Sequence, residues 1–198
     1  MTVSTATRPM RADARRNRES ILAAARELFA ESRHEVQIDD VARLAGVGVG
    51  TVYRHFPDKH ALMGELVRER FVLFNERMRR AVAEGEDAPF ESLAEALRDN
   101  AASVAGDAAT RFAMMSGGER VFEYVGEEKE EFLRLSRRLV LRARRCGELR
   151  PNFQATDIPM VMCGVCATID KGGWDWRRHL DLVIEGMRAE PPAATRGV

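Results

Sequence analysis

"GVGVGTVYRHFPDK", residues 46–59, sets glycine at every second position and then runs into an aromatic, a histidine and a lysine. A nucleotide-binding loop would need a preceding strand and the spacing G-x-G-x-x-G, because only that places a helix N-terminus beneath a pyrophosphate. The spacing here is G-x-G-x-G, and Thr51 stands where a last glycine or alanine is wanted. The preceding "IDDVARLA", residues 38–45, repeats Ile38, Val41, Ala42 and Ala45 at i, i+3, i+4, i+7, the period of a short amphipathic helix. The stretch therefore reads as helix, tight turn, helix.

A helix-turn-helix inserts its second helix into the major groove of DNA while the first braces it. Gly46 suits the turn, and Gly48 and Gly50 carry no side chain, so the start of the second helix can approach the sugar-phosphate wall. Thr51, Tyr53, His55 and Lys59 supply hydroxyl, phenol, imidazole and ammonium donors for phosphate oxygens. Arg54 is the candidate reader of a guanine edge, with Val49 or Val52 offered to a thymine methyl. Phe56 is assigned to the small core of the module and Tyr53 to its surface.

Working outward, the rest of the chain also has helical period. Residues 15–31 place Ile21, Ala24, Ala25, Leu28 and Phe29 on one face. Pro57 ends the third helix and Asp58 caps a fourth, whose stripe of Met63, Val67, Phe71, Phe74 and Met78 runs to Gly85 as core packing. The acidic "EGEDAP", residues 84–89, is the best boundary. Helices are expected at 90–105, 127–145, 157–170 and 174–189, with an irregular segment at 108–125 interrupted by "SGG". There is no clear strand, so the fold class is all-α: a three-helix helix-turn-helix domain (1–58, with a basic N-terminal arm), a connecting helix (59–84) and a C-terminal helical body (85–198).

Equal numbers of basic and acidic residues, 31 each, conceal an asymmetry: residues 1–84 carry 15 against 12 and residues 85–198 carry 16 against 19. A modestly basic first part fits a module that faces nucleic acid. The first twenty residues lack the apolar core of an export signal, and the apolar run 158–169 is too short to span a bilayer, so a cytoplasmic protein with no membrane partner is expected. Three cysteines argue against a disulfide framework. The six arginines between Arg134 and Arg145 read as a solvated helix face.

The segment "ILAAARELFAES…VQIDDVARLAGVGVGTVYRHFPDKHALMGELV", residues 21–67, resembles the DNA-binding domain of the TetR/AcrR family of transcriptional repressors. The resemblance implies an all-helical homodimer on a palindromic operator, a small-molecule pocket in the C-terminal body, and a dimer interface of the last two helices. It also implies phosphate contacts at Thr51, Tyr53, His55 and Lys59. The sequence departs from the family at Gly48 and Val49, where Ser and a basic residue are usual, at Arg33 or His34, where Gly is usual, and at Gln37, where Thr is usual. Residues 85–198 follow the family in helical layout.

For the effector, Phe112, Met114, Met115, Phe122 and Tyr124 form the expected wall of a cavity for an apolar organic molecule. For the dimer, Trp176, Leu180, Val183 and Met187 form one stripe and Met160, Cys163 and Ala167 a second, expected to meet their two-fold copies in a four-helix bundle. No enzyme signature, cofactor or resident metal is expected: the four histidines form no ligand pair and "MMSGGER" is not a nucleophile elbow. Two alternatives stay open: a DNA-binding regulator without an effector, and a metal or redox sensor working through Cys163 and Cys166 of "CGVC".

Overall fold

In the first helix, residues 15–31 bury one apolar face, and the stretch before them is rich in Arg and Ala, residues of high helix propensity. The helix consequently starts earlier than the apolar period does. In the computed structural model, which describes residues 7–31 and 36–189, α1 runs Thr7–Glu31, with Pro9 tolerated in its first turn. There follow α2 (Ile38–Ala45), α3 (Val49–His55), α4 (Lys59–Glu84), α5 (Pro89–Ala105), α6 (Ala108–Ser116), α7 (Gly118–Glu123), α8 (Gly126–Arg145), α9 (Asp157–Lys171) and α10 (Trp176–Met187). The fold is all-α, and among the described residues the one β-type pairing is an isolated bridge, Leu149 with Arg188. The unusual Arg33 and His34 lie outside the described residues.

By its contacts the chain divides into two units, Met1–Arg70 with Asp107–Val125, and Phe71–Gly106 with Gly126–Val198. This differs from the division expected at residues 84–89, which fall inside the second unit. The reason lies in α6, which packs on α1: the Phe112 ring stacks on Phe29 at 5.5 Å, and Arg26 lies 3.8 Å from Asp107. Arg26 also pairs with Glu69 of α4.

In the first unit Ile21, Ala25, Phe29, Val41, Val52, Phe56, Leu62 and Leu66 are buried. Gly46 closes α2 at φ 66°, where only glycine is unstrained, and the Val47 amide donates back to the Ala42 carbonyl at 3.0 Å. Gln37 precedes α2 without a side-chain cap, and the acids Asp39 and Asp40 of the first turn complement the helix dipole instead. The break at "SGG" is real: α6 ends at Ser116, and Gly118 takes φ 58°. Gly64 lets α7 lie close to α4, since a Cβ there would stand 2.6 Å from the Cβ of Tyr124.

The second unit gathers Phe74, Met78, Phe90, Leu93, Leu97, Phe132, Leu139, Ile158, Val165, Leu180, Ile184 and Met187 into one core. Phe132 meets Phe71 and Phe74 with ring centroids 5.7 and 5.2 Å away. The end of α10 is held by its own chain. Arg150 N–H donates to the Met187 carbonyl at 3.0 Å and Ala189 N–H to Glu148 at 2.9 Å, while Arg188 lies over the Phe90 ring at 4.4 Å and pairs with Glu91.

That packing corrects the dimer stripe. Leu180 and Met187 are 1% and 2% exposed, and Trp176 and Val183 rest against the same core, so the stripe serves this chain's own interior. A periodic apolar face marks burial without saying against what. The outward residues are Leu182 (62% exposed) on α10, Met160 (67%), Cys163 and Ala167 on α9, and Trp174 between the helices. Leu180→Ala should therefore lower stability by about 2–5 kcal/mol, the range for a buried leucine truncation, whereas Leu141→Ala, at a position of α8 that is 50% exposed, should change it by less than about 0.5 kcal/mol. Urea unfolding midpoints of the two variants check this.

Candidate DNA interface

A seven-residue helix cannot stand alone in water, so α3 must be held by its neighbours. It is held by Val52 and Phe56, one turn apart and 0% and 3% exposed. Arg18 of α1 stands over the Phe56 ring at 5.5 Å and also reaches Glu65 of α4 at 2.7 Å, which ties both flanking helices to the end of α3. Burial pushes the Glu65 carboxyl up, but hydrogen bonds from Arg68 and Arg18 outweigh it and hold it below its ordinary range.

With Val52 and Phe56 turned inward, Gly48, Val49, Gly50, Tyr53 and Arg54 are exposed, and Thr51, His55 and Lys59 are half-buried. Tyr53 is 49% exposed, so its phenol is free of the core to which an aromatic is ordinarily drawn. A Cβ placed on Gly48 or Gly50 would meet nothing within 4 Å, so the entrance of α3 is open along its outer wall. The expectation that Val49 or Val52 meets a thymine methyl is corrected for Val52 by its complete burial; Val49 is the exposed valine of the pair.

Immediately after α3, Asp58 accepts from Ala61 N–H through Oδ1 at 2.8 Å and so caps α4. Its Oδ2 accepts from Arg120 at 3.2 Å and from the Tyr124 hydroxyl at 3.3 Å, and His60 lies 3.8 Å from Oδ1. Burial pushes the Asp58 carboxyl up, but the Ala61 amide, the Tyr124 hydroxyl, Arg120 and His60 together hold it below its ordinary 3.8. Tyr124 shifts up through burial and then through the adjacent carboxylate. Sequence reading identifies the cap but not these partners, because Arg120 and Tyr124 are 62 and 66 residues away and no local spacing signals them.

The residues expected to wall an effector cavity belong to this first unit. Phe112 packs on α1, Met114 and Phe122 are half-buried, Met115 is exposed, and Tyr124 is turned to Asp58. In the second unit Cys163 is exposed and Cys166 buried, so the two thiols do not share one surface. Among the described residues no cluster of three or more His, Cys, Asp or Glu is arranged to hold a metal ion, and no helix is long and apolar enough to cross a membrane. Of the α8 arginines, Arg142 donates to the Val82 carbonyl, Arg134 pairs with Glu131, and Arg137, Arg138, Arg144 and Arg145 are exposed.

Residues 21–66 match the family "Bacterial regulatory proteins, tetR family". The TetR transcription regulatory protein of Mycobacterium vanbaalenii is 30% identical, with 91% of this chain and all of that one covered at a TM-score of 0.54. The chain belongs to the TetR family. It is a DNA-binding transcriptional regulator and not an enzyme. The Fatty acid metabolism regulator protein of Bacillus subtilis (strain 168) is 26% identical over 79% of this chain and 81% of its own length. The FadR regulator of Bacillus subtilis, solved in complex with stearoyl-CoA, shares the fold at a TM-score of 0.68 and 22% identity, covering 85% of this chain and 96% of that one.

Asp58 gives this TetR-family module a pH signature. Its folded pKa is lowered, so the unfolded chain binds the proton more readily; the stabilisation is complete above the ordinary value of 3.8 and is lost as pH falls through the lowered one. Unfolding midpoints of wild type and Asp58→Asn should therefore differ most at neutral pH and converge on acidification below about pH 4. Midpoints that stay equally far apart at all pH values would contradict that origin.

Proposed function

We propose that the protein is a ligand-responsive repressor that binds a palindromic operator as a homodimer and leaves it when a small apolar molecule binds. The observation that carries the reading is the division of α3, with Val52 and Phe56 inside and Tyr53 and Arg54 outside. Thr51, Tyr53, His55 and Lys59 hold phosphates, Gly48 and Gly50 allow the close approach, Arg54 reads a base edge, and Val49 meets a thymine methyl. Residues 1–58 form the DNA-reading module and 59–84 the connector. Effector and dimer functions fall to 85–198, of which 107–125 fold with the first unit. The place of action is the cytoplasm, where the operator DNA lies.

For the partner copy, α9 and α10 and the turn between them expose Met160, Cys163, Ala167, Trp174 and Leu182, and an open cleft of about 540 Å³ lies between Thr168, Trp174, His179 and Leu182. Apolar side chains this exposed, on adjacent helices, fit a two-fold interface in which the same patch meets itself. The effector is an organic molecule with much apolar surface, a class to which the stearoyl-CoA bound by the Bacillus subtilis relative belongs. It must favour the DNA-free form, because coupling between sites is reciprocal.

Tyr53→Ala and Lys59→Ala should weaken binding to all DNA sequences alike, whereas Arg54→Ala should relax preference at one operator position by roughly 1–3 kcal/mol. Affinities on a selected operator and its single-base variants distinguish the two patterns, and unchanged binding by all three variants would mean that another face meets DNA. Met160→Asp with Leu182→Asp should give a folded monomer by light scattering with reduced operator affinity; a variant that stays dimeric would place the interface elsewhere.

A further inference from the structure

Asp58 does more than a cap requires. One oxygen, Oδ1, satisfies the Ala61 amide; the other is turned away from α4, to the guanidinium of Arg120 and the hydroxyl of Tyr124. Both partners come from α7 and the residue that ends it, four positions apart and therefore on one face. The approach is built in at the backbone level: Gly64 has no side chain where a Cβ would strike Tyr124, and at Gly117 a Cβ would stand 2.0 Å from Val121. Upstream, α6 is fastened to α1 through Phe112 on Phe29 and through Arg26 near Asp107. Residues 107–125 are thus a strap from α1 to the start of α4, and its end grips Asp58, which lies between Phe56, which seats α3, and Lys59, which opens α4.

We propose that Asp58 is a positioning residue for the DNA grip, through which Arg120 and Tyr124 set the placement of Lys59 and of the end of α3. The inference rests on the assignment of Lys59 and the outer face of α3 to DNA. Hydrogen bonds of 3.2 and 3.3 Å are lost if α7 withdraws by about an ångström, while the 2.8 Å cap can persist. Withdrawal then leaves the Asp58 carboxylate without the Arg120 guanidinium beside a phosphate-binding lysine, free to turn about its remaining bond to the Ala61 amide. Anything that displaces α7 changes DNA affinity without touching the recognition helix.

The test uses the full chain and a duplex selected from a random-sequence pool by the wild-type protein, with affinity measured across a range of salt concentrations. Arg120→Ala/Tyr124→Phe should weaken binding about fivefold, the upper end for exposed polar pairs, with the slope of log affinity on log salt unchanged. Lys59→Ala should weaken binding and reduce that slope by about 1. Asp58→Asn, which keeps a competent cap, should fall between wild type and Asp58→Ala. All variants are compared where circular dichroism shows them folded. Wild-type affinity in the double variant, beside a weakened Lys59→Ala, would overturn the inference alone. A reduced salt slope in the double variant would also overturn it, because Arg120 would then be a phosphate contact itself. An unaffected Lys59→Ala would overturn the DNA face, and the inference with it.

Discussion

The burial of Val52 and Phe56 is the contact on which the molecule's function depends. A helix as short as α3 gains too little from its own hydrogen bonds to persist, so its orientation is whatever those two side chains impose. Because side chains one turn apart share a face, fixing Val52 and Phe56 inward fixes Tyr53 and Arg54 outward. Arg18 covers the Phe56 ring and bonds Glu65, so the same two residues also set α3 against α1 and α4. The tight turn at Gly46 leaves no slack between the bracing helix and the reading helix.

The sequence made these local features legible because each has a local cause. Pro57 cannot continue a helix, Asp58 can cap one, Gly46 can adopt a positive φ, and Ile38, Val41 and Ala42 repeat at helical period. What it could not reveal depends on pairings between distant segments. The stripe through Leu180 and Met187 is equally apolar whether it faces its own core or a second chain, and only the packed structure shows that it faces inward and leaves Leu182 outside. Residues 108–125 read as an irregular, aromatic-rich segment, but nothing in their spacing says that Phe112 rests on Phe29 or that Tyr124 meets Asp58. The early start of α1 escapes the periodic pattern for the opposite reason: its first turns carry few apolar residues, so helix propensity and not periodicity carries them.

Membership of the TetR family and the arrangement of the first unit bear on one another. In the first unit α6 packs on α1, and Arg120 of α7 and Tyr124 reach Asp58 at the start of α4, so the helices that flank α3 are both held by this segment. The positioning of Lys59 proposed through Asp58 needs no long chain of intermediates, because the contact lies at the cap of the helix that Lys59 opens. In the second unit the end of α10 is anchored by Arg188 between Phe90 and Glu91.

The most direct measurement is the set of duplexes that the full chain enriches from a random-sequence pool. The account predicts two inverted copies of one short motif with centres about 10 base pairs apart, or a multiple of a helical turn, so that two α3 helices enter successive major grooves from one side. Enrichment of a single motif without two-fold symmetry, or no enrichment above non-specific duplex, would contradict the paired reading by the exposed face of α3.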